Sequence, residues 1–234
     1  MSPGFVVRPT TPEDFPGIIA LCRKIYPDSP PWKEAQLRSH LVHFPGGQRV
    51  ADAGGEIIGM AASLILRWHD YDPLGSWRDF TAGGTFENHD PSGGRTLYGA
   101  EVMVAPDWQG HGVGGALYAA RRRTALEHHL LRIRAGARLR GYGAHAHKMS
   151  AADYVRAVVS GKLRDPTLSF QLNQGFRVID LVEGYLGHDP ESLGNAAVIE
   201  WLNEEVATPA ERSLHLARAA VFGDPSAAQA ASPS

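Results

Sequence analysis

One cysteine among 234 residues excludes an intrachain disulfide and a thiolate metal cluster, and a lone Cys22 suits a reducing compartment. Charge of neither sign dominates. Lys plus Arg number 23 and Asp plus Glu 25, for a net charge of −2, so the basic surplus of a nucleic-acid binder is missing. Long apolar runs are missing too: no stretch approaches the roughly 18 residues that a membrane helix needs. Met1 to Val7 has no positive segment leading into an apolar run, so no secretory signal is expected. Internal repeats are absent. What remains is a cytoplasmic globular protein with neither nucleic acid nor membrane as partner; oligomeric state leaves no mark on the sequence. At 43% apolar and 21% charged residues the composition is that of an ordinary folded domain, large enough to bury a core.

Along the chain, a short strand over Phe5 to Arg8 precedes a helix start in Thr11-Pro12-Glu13-Asp14, with Thr to cap, Pro in the first turn and Asp at the positive end. Ile18, Leu21, Cys22 and Ile25 follow at helical spacing, which makes Cys22 a core thiol. A second helix is expected over Trp32 to His43. Gln48 to Ala53 and Glu56 to Leu66 flank Gly54-Gly55 as a hairpin. His69 to Arg95 is rich in glycine and acids and poor in aliphatics, and reads as a long irregular excursion: a functional lid or a solvated loop. A strand over Thr96 to Val104 leads through glycines to an Ala-rich helix from Val113 to His129. Further strands are expected over Leu131 to Ala137, Phe176 to Val182 and Asn195 to Leu202, and helices over Ala151 to Ser160 and Thr167 to Asn173. A C-terminal helix is expected over 206–222, and an Ala/Ser/Pro-rich tail over 223–234 reads as disordered.

The segment richest in chemistry is Val104-Ala105-Pro106-Asp107-Trp108-Gln109-Gly110-His111-Gly112-Val113-Gly114-Gly115. Glycines at the end of a strand let successive N–H groups converge on one anion, and the helix they open adds positive potential. The combination is a phosphate cradle. Gly110 to Gly115 also satisfies the G-x-G-x-x-G dinucleotide pattern. However, a four-residue spacer separates it from its strand, and no acid follows about 20 residues later, as that fingerprint requires. A P-loop would need Gly-Lys-Ser/Thr, which the chain lacks. His145 and His147 lie two apart in a loop-like stretch without a cysteine, a poor ligand set, so no metal is expected.

Gln109-Gly110-His111-Gly112-Val113-Gly114, following Val104-Ala105-Pro106, resembles the Q/R-x-x-G-x-G/A signature of the GNAT superfamily of N-acetyltransferases. The order of elements over about residues 5 to 202 is similar to that family's, and Gln174-Gly175-Phe176 resembles its last helix-to-strand corner. Leu97 to Glu101, Asp165 to Phe170 and Gly184 through Gly194 resemble acetyltransferase domains often fused to a carbon–nitrogen hydrolase, here without the hydrolase. The resemblance implies an α/β (α+β) fold. Its central sheet would be mixed and mostly antiparallel, flanked by helices and splayed into an acyl-CoA cleft, over residues 1–205 with insertions at about 69–95 and 138–165. It implies acetyl-CoA as co-substrate, with the backbone of Met103 and Val104 against the pantetheine arm. Gln109, Gly110, His111, Gly112, Val113 and Gly114 would lie on the pyrophosphate. Arg121, Arg122 and Arg123 form either a solvated helix face or a contact to the nucleotide 3′-phosphate.

Acetyl transfer to an amine needs a polarised carbonyl and a proton acceptor. Val104 N–H suits the first. Glu101, the one acid in its strand and alternating there with Gly99 and Met103, suits the second, or else serves a structural ion pair. The family's usual thiolate acid, a Tyr five residues before the Phe of Gly-Phe, is Gln171 here; Ser169, Tyr98 and Tyr185 are the alternatives. Direct acetyl transfer from acetyl-CoA to a small-molecule or peptide amine is the expected activity, and a non-catalytic acyl-CoA-binding regulatory module is the alternative. The acidic excursion, with the loop around 184–193 and the insertion 138–165, is expected to wall the acceptor site and to favour a cationic amine.

Overall fold

The computed structural model describes residues 4–27, 29–187, 189–225 and 227. The chain divides into two compact units, one comprising the residues up to Trp68 with Arg78–Leu130, the other His69–Trp77 with the chain from Leu131 onward.

In the first unit, strands β1 (Val6–Pro9), β2 (Arg49–Ala53), β3 (Glu56–Leu66) and β4 (Thr96–Val104) pair antiparallel in that order. Helices α1 (Phe15–Ile25) and α2 (Glu34–His43) fall between β1 and β2. Gly54 and Gly55 close the β2–β3 hairpin at φ 67° and 97°, the left-handed pair a tight hairpin turn demands, and Asp52 takes the Gly55 N–H at 2.6 Å. Strand β3 is buried from Ile57 to Leu66 and carries the unit's core. Phe15, Ile18, Leu21 and Cys22, one stripe of α1, are buried. The His69 to Arg95 excursion is neither one loop nor irregular throughout. Residues 69–77 belong to the second unit and 78–95 to the first, with the short helix α3 (Trp77–Phe80) at the division. Its aromatics decide this. Phe80 stacks on Trp68 and Phe86 on His40, so the 78–95 half is pinned by rings the acidic composition concealed.

Helix α4 (Val113–Glu127) follows β4 and completes the first unit. Gly59 is where helix and sheet approach: a Cβ there would lie 3.0 Å from both Val113 Cγ1 and Met103 O.

In the second unit β7 (Ala196–Leu202) lies between β5 (Arg132–Arg138) and β6 (Arg177–Val182), antiparallel to both. Helices α5 (Ala151–Val159) and α6 (Leu168–Asn173) connect β5 to β6, and Gly175 at φ 81° ends the turn after α6. The Asp165-Pro-Thr-Leu-Ser-Phe stretch is a structural knot. The fully buried Asp165 carboxylate accepts from Gly141 N–H, Tyr154 O–H, Thr167 N–H and Leu168 N–H, tying the 138–165 insertion to α6. Trp77 donates its N–H to Tyr185 O, and with Leu186 packs on Ile179, Val182, Tyr185, Ala196 and Val198. Helix α7 (Pro209–Val221) is shorter than the expected 206–222 because Thr208 caps it and Glu211 completes a capping box. Of the tail expected to be disordered, 223–225 and 227 are described; the remainder lies outside the described residues.

Candidate functional site

The turn from β4 into α4 is built by pairing arithmetic. Ala105 N–H donates to Ile58 O at 2.7 Å, so Ile58 and Ala105 form a hydrogen-bonded pair. Alternation then makes Gly59 and Val104 a non-bonded pair and directs the Met103 backbone at Met60. Met103, expected to offer its backbone to an amide-bearing ligand, is therefore committed to β3, and only Val104 directs its N–H and C=O away from that strand. Gln109 Nε2 approaches Val104 O at 3.5 Å.

Pro106–Trp108 makes a single 3₁₀ turn in which Ala105 O accepts from Trp108 N–H and Pro106 O from Gln109 N–H. Gly110 and Gly112 then take φ of 81° and 86°, which side-chain-bearing residues adopt only with strain. A Cβ on either would meet nothing within 4 Å, so their faces are open. Gly112 starts α4, and among the described residues Val113, Gly114 and Gly115 have no backbone acceptor for their N–H groups. The turn of Gln109 to Gly114 thus has the open amides and helix start with which an anion is compatible. His111 is exposed, its Nδ1 3.1 Å from Gln109 O and its ring edge-on to Trp108, which in turn rests on Phe5.

Glu101 sits where β4 departs from regularity. Ala62 faces Glu101 and Ser63 faces Gly99, leaving Ala100 as an extra residue. The expected alternation of Gly99, Glu101 and Met103 on one face is interrupted there. Glu101 is half-buried, and its Oε1 accepts from Tyr26 O–H at 3.2 Å and Val102 N–H at 3.0 Å. Tyr26, just beyond α1, escaped the sequence reading because 75 residues separate it from Glu101. Cys22 is buried, and burial pushes its thiol up, as befits a core residue.

Arg121 is neither solvated nor free to reach a nucleotide phosphate. It is 3% exposed and donates to Glu101 O at 2.6 Å, Ala62 O at 3.1 Å and Ser63 Oγ at 3.0 Å. Arg122 is half-buried and Arg123 exposed. The alternative proton donors are all held in packing. Ser169 Oγ accepts from Asp165 N–H, Tyr98 lies against Phe80, and Tyr185 closes over Gly136, where a Cβ would fall 2.2 Å from its ring. The excursion's acids are partly spent as well: Asp90 takes the N–H groups of Ser92 and Gly93 and pairs with Arg67, and Asp72 takes Leu74 N–H. Among the described residues no helix is long and apolar enough to cross a membrane.

A strand end with an outward amide, followed by an open glycine turn at a helix start, is an arrangement suited to an anionic group beside a β-strand. The comparisons give the family: the model described as "Acetyltransferase (GNAT) family" matches residues 13–147, more than half of the chain. A Bacillus subtilis (strain 168) protein described as "Uncharacterized N-acetyltransferase YkwB" is 35% identical over 201 residues, covering 84% of this chain and 88% of its own. Another from the same strain, "Probable hydrolase YhcX", is 39% identical over 198 residues. That match covers 85% of this chain but 38% of the relative, so the chain spans well under half the length of that protein. Among solved structures, "GphF GNAT-like decarboxylase in complex with isobutyryl-CoA" superposes with a TM-score of 0.72 at 24% identity, over 84% of this chain and 98% of that one. The chain belongs to the GNAT acetyltransferase family, whose chemistry is acyl transfer from acyl-CoA.

Proposed function

We propose that this protein, with residues 1–205 as its acyltransferase domain, transfers an acetyl group from acetyl-CoA directly to a primary amine on a small molecule or peptide. The open turn from Gln109 to Gly114 at the start of α4 carries this reading, because it offers amides and helix potential to a pyrophosphate. Val104 N–H, directed away from β3, would donate to the thioester carbonyl oxygen and stabilise the charge that develops there. The amine nitrogen attacks the carbonyl carbon, the carbon–sulfur bond breaks, and the CoA thiolate leaves. Glu101 takes the proton the nitrogen sheds. The superposed decarboxylase holds isobutyryl-CoA, which makes the acyl group part of the test.

Calorimetric titration of acetyl-CoA and isobutyryl-CoA into the wild type and Gly112→Asp is the first test. Gly112 sits at φ 86° with open space beside it, so aspartate acts through backbone strain and a negative charge in the cradle, not by collision. Acetyl-CoA binding weakened at least about tenfold in the variant is expected. Wild-type protein that binds neither thioester sinks the reading. Binding without thiol release across an amine panel leaves the non-catalytic module, which Gln171 in place of a tyrosine already favours as the second reading.

A further inference from the structure

In the second unit, the cluster where α7 meets β5 and β7 holds more cation than anion. Arg132 and Arg134 lie two apart on β5 and so share a face, where Arg134 stands opposite Glu200 of β7. Glu200 accepts from both guanidinium groups and from His215 of α7. Arg218 lies three residues past His215, on the same side of that helix. Its charge is felt at Arg134: burial draws that guanidinium down to about 10 with Glu200 opposing, and Arg132 and Arg218 add to the fall. Among the described residues, Glu204 is taken by Arg212 and Asp224 by Arg177, and no acid pairs with Arg218. Three guanidinium groups against one carboxylate leave a surplus of two positive charges before His215 is counted.

Arg132 shows where the surplus opens. Its Nη1 donates to Glu200 at 3.3 Å, but its Nε–H is buried and has no acceptor among the described residues. Nε and Nη2 make the parallel edge with which a guanidinium grips an oxyanion. A buried donor without an acceptor is rare in folded proteins and calls for an explanation. The side chain is 22% exposed, which leaves a way in from solvent.

We propose that Arg132 and Arg218, backed by the buried Arg134–Glu200 pair, form an anion site additional to the α4 turn, and that it takes a phosphate group, free or carried on a small metabolite. A phosphate monoester brings a charge of about −1.5 to −2 at neutral pH and three strong acceptor oxygens. That matches both the surplus of two and the open edge of Arg132, whereas a carboxylate would leave one positive charge over. The site lies wholly in the second unit and does not depend on acetyl transfer.

The test follows the Arg132 Nε–H signal in ¹H–¹⁵N spectra of the full chain as sodium phosphate is added at constant ionic strength. The signal is assigned by its loss in Arg132→Lys or, should that variant not fold, by through-bond connection to the Arg132 backbone. A saturable shift with half-saturation at about 1 mM or below is expected. Glucose 6-phosphate added in the same way identifies the source: whichever of the two saturates at the lower concentration is the ligand's form, and either supports the site. Arg218→Gln should raise the half-saturation at least about tenfold, the loss of one charge-assisted contact. Gly112→Asp, which obstructs the α4 turn, should leave it unchanged. A half-saturation that moves with Gly112→Asp and not with Arg218→Gln assigns the phosphate to the α4 turn and overturns the proposal. An unmoved signal, or a shift that sodium chloride reproduces at equal ionic strength, overturns it as well.

Discussion

At the scale of single residues, one carboxylate gives a measure of how much burial raises the stakes of a charge. Glu200 on β7 is buried and accepts from Arg134 Nε at 2.6 Å, His215 Nδ1 at 2.7 Å and Arg132 Nη1 at 3.3 Å. Glu200→Gln leaves the two arginines without their counter-charge and should cost about 3–5 kcal/mol in urea unfolding. Arg38→Ala, which breaks the exposed i,i+4 pair with Glu34, should cost no more than about 0.5 kcal/mol by the same measurement. At the site, Glu101→Gln should leave acetyl-CoA affinity intact and lower turnover by about 10²-fold or more. Equal losses in binding and turnover would make Glu101 a structural residue. Glu101 was legible as a lone acid in an apolar strand. Arg121 was not, because Arg121-Arg122-Arg123 looks like a charged face. Its signal was periodicity: Leu117, Arg121, Thr124 and Ala125 lie on the buried stripe of α4.

At the scale of elements, the start of α4 is held by what β3 lacks. Gly59→Ala would set a methyl 3.0 Å from Met103 O and Val113 Cγ1 and 3.2 Å from Leu117 Cδ1. The helix start must then shift, for about 1–3 kcal/mol of lost stability and weaker acetyl-CoA binding. A variant that loses stability while keeping wild-type affinity would show that the cradle tolerates the movement. Elements marked by local chemistry were legible almost to the residue. Thr96–Val104, the Gly54-Gly55 hairpin and the Ser150 cap of α5, which takes the Asp153 N–H, all depend on neighbours within a few positions. The 69–95 excursion was misread because its organisation depends on partners far along the chain: Trp68 on Phe80, His40 on Phe86, Tyr185 on Trp77. The bulge in β4 escaped for the same reason. Period-two counting assumes a regular ladder, and only the pairing with β3 reveals the extra residue at Ala100.

At the scale of the whole molecule, a nearly balanced charge makes response to pH a matter of a few buried groups. In the first unit His40 Nε2–H donates to Gly84 O at 2.8 Å, and burial holds its ring down to about 4. His89 Nδ1 accepts the Ile65 N–H at 3.0 Å; burial, with His43 and His128 nearby and only Asp90 opposing, holds it too at about 4. Both rings are neutral when folded and ordinary, near 6.5, when unfolded, so the unfolded chain binds more protons as acid is added. Their contribution is complete above about pH 6.5 and is lost as pH falls towards 4. In the second unit burial alone would raise the Glu200 carboxyl, but the His215 hydrogen bond and the Arg134 and Arg132 charges pull it down to about 2. Its contribution is present above the ordinary carboxylate value near 4.5 and is lost as pH falls from there towards 2. Melting temperature should therefore stay level above about pH 6.5, decline between about 6.5 and 4, and decline further below that. His89→Asn separates the stages, because its Oδ1 can still accept the Ile65 N–H but has no proton to gain. A shallower slope between about pH 6.5 and 4, followed by circular dichroism melts, is the expected result. An unchanged slope would exclude His89 from the upper stage and leave it to His40.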